Sequence, residues 1–316
     1  MRRRKEICNS DRCHMVILQH RRWRNLFIAC IVALLADSGF AQQKSLTAAQ
    51  VIERIQAHVG VSWQSDTVDT FKAGDPKTLV TGIAVTMMAT LDVLQRASAA
   101  GNNLIVTHEP TFYNHLDTTD ELSEGEADPV LAEKRAFIKR HHLVIWRFHD
   151  HWHRRNPDGI EAGVVHSLGW EKFQSPANQY LFSMPEMTLQ ALAADIRSRL
   201  GIHIIRVVGD PKLRVTKVAF SPGASGFHHE SGALEMNDVD VLVVGETREW
   251  ETVEYVSDAV SEGKHKALII LGHIPSEQAG MVECAQWLKT FISEVPVNFV
   301  PAREPFWAPQ THGKAN

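Results

Sequence analysis

Hydrophobic and polar residues alternate along this chain in two distinct rhythms. Thr47-Ala48-Ala49-Gln50 reads as a capping box opening a helix with Val51, Ile52, Ile55 and Val59 on one side, stopped by Gly60. Leu79–Val85 is an apolar, β-branched run, as a buried strand would be. The pattern then predicts a helix over Thr86–Ala100, a strand over Asn103–Thr107, a helix from Pro129 to Arg140 and a strand over Leu143–Phe148. Strands alternating with helices in this way imply an α/β layer fold with parallel strands. The rhythm breaks near 174–212. There Gln174–Pro185 is irregular or a short strand, Thr188–Leu200 an amphipathic helix and Gly201–Val208 a strand. It returns with strands at Val215–Phe220 and Val239–Val244, a helix at Thr247–Val260, a strand at Lys266–Leu271, a helix at Pro275–Phe291 and a strand at Val297–Val300. The expected organisation is two similar α/β lobes (42–173 and 213–316) packed together, with a linking subdomain over 174–212.

The N-terminal stretch reads as an address. Arg21, Arg22 and Arg24 precede a Leu26–Leu35 apolar run of about ten residues, too short to span a bilayer. Gly39-Phe40-Ala41 then supplies small residues for cleavage after Ala41, so residues 1–41 are expected to be a signal peptide. Met15 is a plausible initiator, with 1–14 an over-long start. Export makes the mature protein periplasmic or secreted, with no membrane attachment after cleavage.

Removing the leader changes the charge. Residues 42–316 hold 25 Lys and Arg against 34 Asp and Glu, and an acidic body argues against a nucleic-acid partner. Only Cys284 remains beyond the leader, which excludes an internal disulfide and a cysteine-rich metal site. No G-x-x-x-x-G-K-[ST] or G-x-G-x-x-G follows a strand, which excludes the common nucleotide loops.

The chemistry concentrates at strand ends. Ile105-Val106-Thr107 runs into His108-Glu109, Ile145–Phe148 into His149-Asp150-His151-Trp152-His153, and Leu268–Leu271 into Gly272-His273 and on to Glu277. In open α/β sheets ligands collect at the carboxyl ends of strands. His149 and His153 are four apart, as are His273 and Glu277, a spacing that places each pair on one face. Imidazole plus carboxylate suits zinc, iron, manganese or nickel. His108, Glu109, His149, His153, His273 and Glu277 are more ligands than one tetrahedral ion takes. Two divalent ions about 3.5–4 Å apart, bridged by a carboxylate, would use them all. Glu277 or Glu109 would bridge or act as base, with metal-activated water as nucleophile on a small-molecule substrate. Strand alternation points His151 away from His149. His115 is a neighbour of the centre, His228-His229 are open between loop and substrate contact, and His141, His142, His166, His203 and His265 read as surface. The Ser221–Gly232 loop offers backbone N–H groups to an anion.

The motifs also resemble a known family. Gly101–Pro110 is similar to the "ADLIITHHP" strand of the Ngg-interacting-factor-three-like proteins, also labelled GTP cyclohydrolase type 2-like. Gly272–Glu277 resembles the family's "GHxxxE", Asp240–Glu246 its "DvyiTGE" strand, and Val218–Gly226 its Gly/Ser loop. The resemblance runs from about 46 to 302. It implies a toroidal hexamer of two-lobed α/β subunits around dinuclear metal centres, with His108, His149, His273 and Glu277 on ligand positions. Two positions differ: Glu109 stands for the second histidine of "HHP", and His153 for the aspartate of "HTNLD", with Asp150 nearby. The expected function is an exported, dinuclear-metal-dependent hydrolase acting on a phosphoester, nucleotide or cyclic amide. The alternative is a non-catalytic metal-binding or scaffold protein.

Overall fold

In the computed structural model of the chain, residues 45–309 are described. The expected leader at 1–41 lies outside them. No helix among the described residues is long and apolar enough to cross a membrane.

The chain builds two five-stranded sheets. The first takes β1 (Phe71–Ala73), β2 (Ile83–Thr86), β3 (Leu104–Thr107), β4 (Val144–Arg147) and β10 (Val297–Phe299), in the order β1-β4-β3-β2-β10. All pairs are parallel except β1 against β4. The second takes β5 (Leu181–Thr188), β6 (Arg206–Val208), β7 (Arg214–Ser221), β8 (Val241–Val244) and β9 (Ala267–Ile270), ordered β5-β7-β8-β9-β6. Its three central strands are parallel and both edges antiparallel. β2, β3, β4, β8 and β9 are buried at every residue, which is why they read as continuous apolar runs.

The helices α1 (Ala48–His58), α2 (Leu91–Ala99) and α3 (Pro129–Arg140) accompany the first sheet. The capping box at Thr47 and Gln50 is present. α2 begins at Leu91, because the Thr90 side chain caps Val93 N–H, so Met87–Ala89 form a loop rather than the helix expected from Thr86. α4 (Asp150–His153) is one turn, followed by α5 (Gly159–Leu168). α6 (Leu189–Leu200), α7 (Phe227–Glu235), α8 (Glu254–Ser261) and α9 (His273–Lys289) complete the set, α8 entered through a π-helical turn at Glu249–Val253.

Three findings correct the expectations. Residues 174–212 do not form a separate linking subdomain. They supply β5 and β6, the antiparallel edges of the second sheet, and Leu189, Leu192 and Ile196 of α6 pack into its core. The Ser221–Gly232 segment is not a loop throughout, since α7 begins at Phe227. α5 carries no amphipathic stripe because it is buried almost all round, so periodicity does not reveal it. Asp158 caps it by accepting from Ile160 and Glu161 N–H, and Gly169 closes it in the left-handed region at φ 64°.

α5 and α9 join the two cores. Ile160, Ile274, Met281 and Cys284 pack with the first sheet, whereas Val164, Val165, Leu168 and Ala279 pack with the second. The helices touch through glycines. A Cβ on Gly163 would lie 2.6 Å from the Ala279 carbonyl oxygen, and one on Gly280 would lie 2.4 Å from Ile160 Cα. α9 carries His273 and Glu277 in its first two turns, so this crossing sets where those side chains stand.

Candidate metal centre

The carboxyl ends of β3 and β4 from the first sheet meet those of β8 and β9 from the second. His108 follows β3, His149 follows β4, Glu246 follows β8 and His273 follows β9. Asp69 fixes the β4 end. Its carboxylate accepts the backbone N–H of His149 (2.6 Å), Asp150 (2.9 Å) and His151 (2.9 Å). The single turn α4 then brings His153 back beside His149, ring centroids 4.8 Å apart.

All six candidate ligands from the sequence converge. Nε2 of His108 is 3.1 Å from Nε2 of His153 and 3.7 Å from Glu277 Oε2. Nε2 of His273 is 3.3 Å from Glu109 Oε1 and 3.2 Å from Glu277 Oε2. Nε2 of His149 is 3.8 Å from Glu109 Oε1. Two groups have ligand atoms close enough to share an ion: His108, His149 and His153; and His108, Glu109 and Glu277.

The other face of each imidazole is anchored. Nδ1 meets the Phe148 carbonyl in His108 (3.1 Å), Asp150 in His149 (2.9 Å), Asp158 in His153 (2.8 Å) and Glu246 in His273 (3.4 Å). An acceptor at Nδ1 places a proton there and leaves the Nε2 lone pair directed inward, the arrangement typical of metal-bound histidine. Arg147, fully buried, donates to the His108 and His115 carbonyl oxygens and sets its guanidinium 3.5 Å from Glu109 Oε2.

Two observations test whether a cation fits. Glu277 Oε2 is buried and makes no hydrogen bond of acceptable geometry, although Nε2 of His273 is near. Neutral His108 and His153, both anchored at Nδ1, direct two lone pairs at each other across 3.1 Å. A shared positive charge resolves both problems, and in the metal-free protein protons supply it. Burial opposes charge on His273, but Glu109, Glu246 and Glu277 push its imidazole up to about 12. Burial is likewise outweighed at His153, where Asp158 raises the imidazole. Burial and the neighbouring imidazoles hold His108 well below its ordinary range. Burial lowers His149 also. At Glu109 burial is overcome by His273 and His108, which keep it ionised far below the usual carboxylate range. The donor set fits divalent ions of the kind expected.

The remaining histidines separate cleanly. His151 turns away: it pairs with Asp69 (2.7 Å), accepts Gln64 N–H (2.9 Å) and stacks on Trp63. His115 touches the centre only edge-on to His149, centroids 6.2 Å apart. His228 and His229 are exposed on α7, as are His141, His142, His166, His203 and His265 in their own segments. Asp150 anchors His149 rather than replacing His153. The glycine loop spends the Gly223 N–H on Ser276 Oγ (3.0 Å), and a Cβ on Gly223 would meet Glu277 Oε1 at 2.2 Å. It buttresses Glu277 instead of leaving that N–H for an anion. Sequence reasoning did not single out Asp69, Arg147, Asp158 or Glu246 as supports. Glu246 alone left a signal, a carboxylate at a strand end.

Asp158→Asn is expected to weaken metal binding by about 10–100-fold, the usual cost of removing a carboxylate that orients a metal-bound histidine. Competition with a chelator reads this out. Nearby Glu161 gives a pH test. Burial, then the Asp158 charge, raise its carboxyl from 4.5 to about 8. Folded protein therefore binds this proton more tightly than unfolded protein, so stability falls as pH climbs from 4.5 toward about 8. Glu161→Gln is expected to shrink the loss of Tm between pH 5 and pH 8, measured on metal-free protein.

Known proteins resemble this chain in sequence and in fold. A curated "GTP cyclohydrolase 1 type 2 homolog" from Clostridium perfringens is 24% identical over 245 residues, covering 73% of this chain and 86% of that protein. One of the same name from Chlamydia pneumoniae is 24% identical over 250 residues, covering 74% and 89%. Among solved structures, a Bacillus cereus protein related to NIF3 superposes with a TM-score of 0.63 at 14% identity, over 84% of this chain and all of its own. A Staphylococcus aureus hypothetical protein gives 0.62 at 18%, with the same coverage. These two likenesses concern the fold. The sequence profile of Duf34/NIF3 (NGG1p interacting factor 3) matches residues 46–305, and the chain belongs to that family.

Proposed function

We propose that this protein is an exported hydrolase of a small substrate that depends on two divalent metal ions. The observation that carries the reading is the set of four imidazoles anchored at Nδ1 and converging through Nε2 on Glu109 and Glu277. His108, His149 and His153 would hold one ion, and Glu109, His273 and Glu277 the other, with His108 bordering both. Ions held there would supply Lewis acidity toward a substrate oxygen and acidify a water.

The chain's own groups do the rest. Arg147 steadies the Glu109 carboxylate, and Glu246 orients His273. Glu277 and Glu109 are the proposed catalytic carboxylates: both would help hold the cations, and one of them would take a proton from the attacking water. A purely structural site closes its ligand shell. Here a cavity of about 930 Å³ lies against His273 and Glu246, and access from it to the metal positions would favour catalysis over the scaffold reading. The toroidal hexamer and cleavage after Ala41 belong to the same proposal.

Elemental analysis of residues 42–316 should find about two divalent ions per chain. Chelation should abolish turnover across a panel of phosphoesters, cyclic amides and nucleotides, and metal should restore it. Protein that neither contains nor takes up metal would refute the reading. Export is checked by N-terminal sequencing, which should begin at Gln42, and assembly by light scattering.

A further inference from the structure

The loop after Glu109 is held by more buried charge than a surface turn needs. Lys134, buried, donates from Nζ to the Thr111 carbonyl oxygen (2.5 Å). Arg147, also buried, donates to the His115 carbonyl oxygen (2.5 Å). Asp117 accepts the backbone N–H groups of Thr111 (2.6 Å) and Phe112 (2.9 Å) and pairs with Lys72 (3.3 Å). Burying charged groups is costly even when they are paired. Tyr113 adds strain, a bulky residue held in the left-handed region at φ 66°. Such strain gathers where a fixed geometry is put to use.

What this loop fixes in place is His115. Its backbone is pinned by the same arginine that stands 3.5 Å from Glu109, and its ring lies edge-on to His149, centroids 6.2 Å apart. The four histidines proposed as ligands are each anchored at Nδ1. The His115 ring differs: it is exposed, and neither nitrogen has a hydrogen-bond partner among the described residues. His149, His153 and His273 are only partly buried, so the ligand set is not sealed from water. An imidazole held at this rim by its backbone, with both nitrogens uncommitted, can hand a proton to a bound substrate.

We propose that His115 is a catalytic residue, the acid that protonates the departing oxygen when a phosphate ester is hydrolysed at the centre. The proposal rests on the reading of that centre as catalytic. Glu109 or Glu277 takes one proton from the attacking water, whose oxygen bonds to phosphorus. The bond from phosphorus to the ester oxygen breaks, its electron pair stays on that oxygen, and the His115 N–H proton moves there. Solvent reprotonates the exposed imidazole and takes the carboxyl proton, so ester and water become alcohol and phosphate.

Two esters separate this role from a structural one. 4-Nitrophenyl phosphate releases an anion that is stable without a proton, and phenyl phosphate releases one that is far less so. In metal-loaded residues 42–316, His115→Ala should lower kcat on phenyl phosphate by about 100-fold or more, with KM little changed, and kcat on 4-nitrophenyl phosphate by less than about threefold. Added free imidazole should restore much of the lost rate, because the position it would take faces solvent. Four results overturn the proposal: an equal loss on both esters, no loss on either, a loss that imidazole does not relieve, or metal-containing unaltered protein that hydrolyses neither ester. Elemental analysis separates these from failure of the underlying reading, since unaltered protein that takes up no metal removes the centre itself.

Discussion

A protein carrying His108→Ala together with His273→Ala is expected to lose its metal and its metal-dependent hydrolysis. His108 is fully buried and its Nε2 belongs to both candidate ligand groups. His273 stands within 3.3 Å of both Glu109 and Glu277. Alanine supplies no donor at either place, so the loss should exceed the 10–100-fold expected when only an anchoring partner is removed (about that range for Asp158→Asn). The fold also suffers. Removing His108 leaves the Phe148 carbonyl without its partner, at a cost of about 1–3 kcal/mol. Circular dichroism is therefore measured beside metal content. His115→Ala, altering an exposed ring at the margin of the cluster, is the comparison and should keep its metal. Unchanged metal content in a folded double variant contradicts the assignment of these residues.

A large loss of stability is expected from Gly280→Ala. Its new Cβ would stand 2.4 Å from Ile160 Cα and 2.8 Å from the Ile160 carbonyl oxygen. Those are backbone atoms of a buried helix, so relief requires moving α5 and α9 apart. Overpacking of this kind costs about 1–3 kcal/mol where side chains can yield, and a backbone contact belongs at the upper end. About 3 kcal/mol corresponds to a fall in Tm of about 6–12 °C for a chain of this size. Because α9 carries His273 and Glu277, metal affinity should fall with it. A Tm within a degree of the unaltered protein would mean that the α5–α9 crossing is looser than its glycines indicate.

The legible part of this molecule was its strand ends. His108, His149 and His273 each follow a buried parallel strand, whose apolar run announces itself, and the one-face spacing adds His153 and Glu277. The supports were hidden because they act across long stretches of chain. Asp69 holds the turn at His149 from 80 residues away, and nothing local marks it. Asp158 caps α5 through one oxygen and anchors His153 through the other, and neither role is marked locally in the sequence. α5 escaped notice because burial on nearly every side erases the stripe that periodicity detects. The supposed linking subdomain was misjudged because β5 and β6 are edge strands with exposed positions, so they lack the apolar run of the central strands.

Anomalous diffraction from crystals of metal-loaded protein tests the central claim most directly. The account predicts two peaks per chain, one among Nε2 of His108, His149 and His153, the other among Glu109, His273 and Glu277. Peaks elsewhere, or none in protein that binds metal in solution, would contradict it.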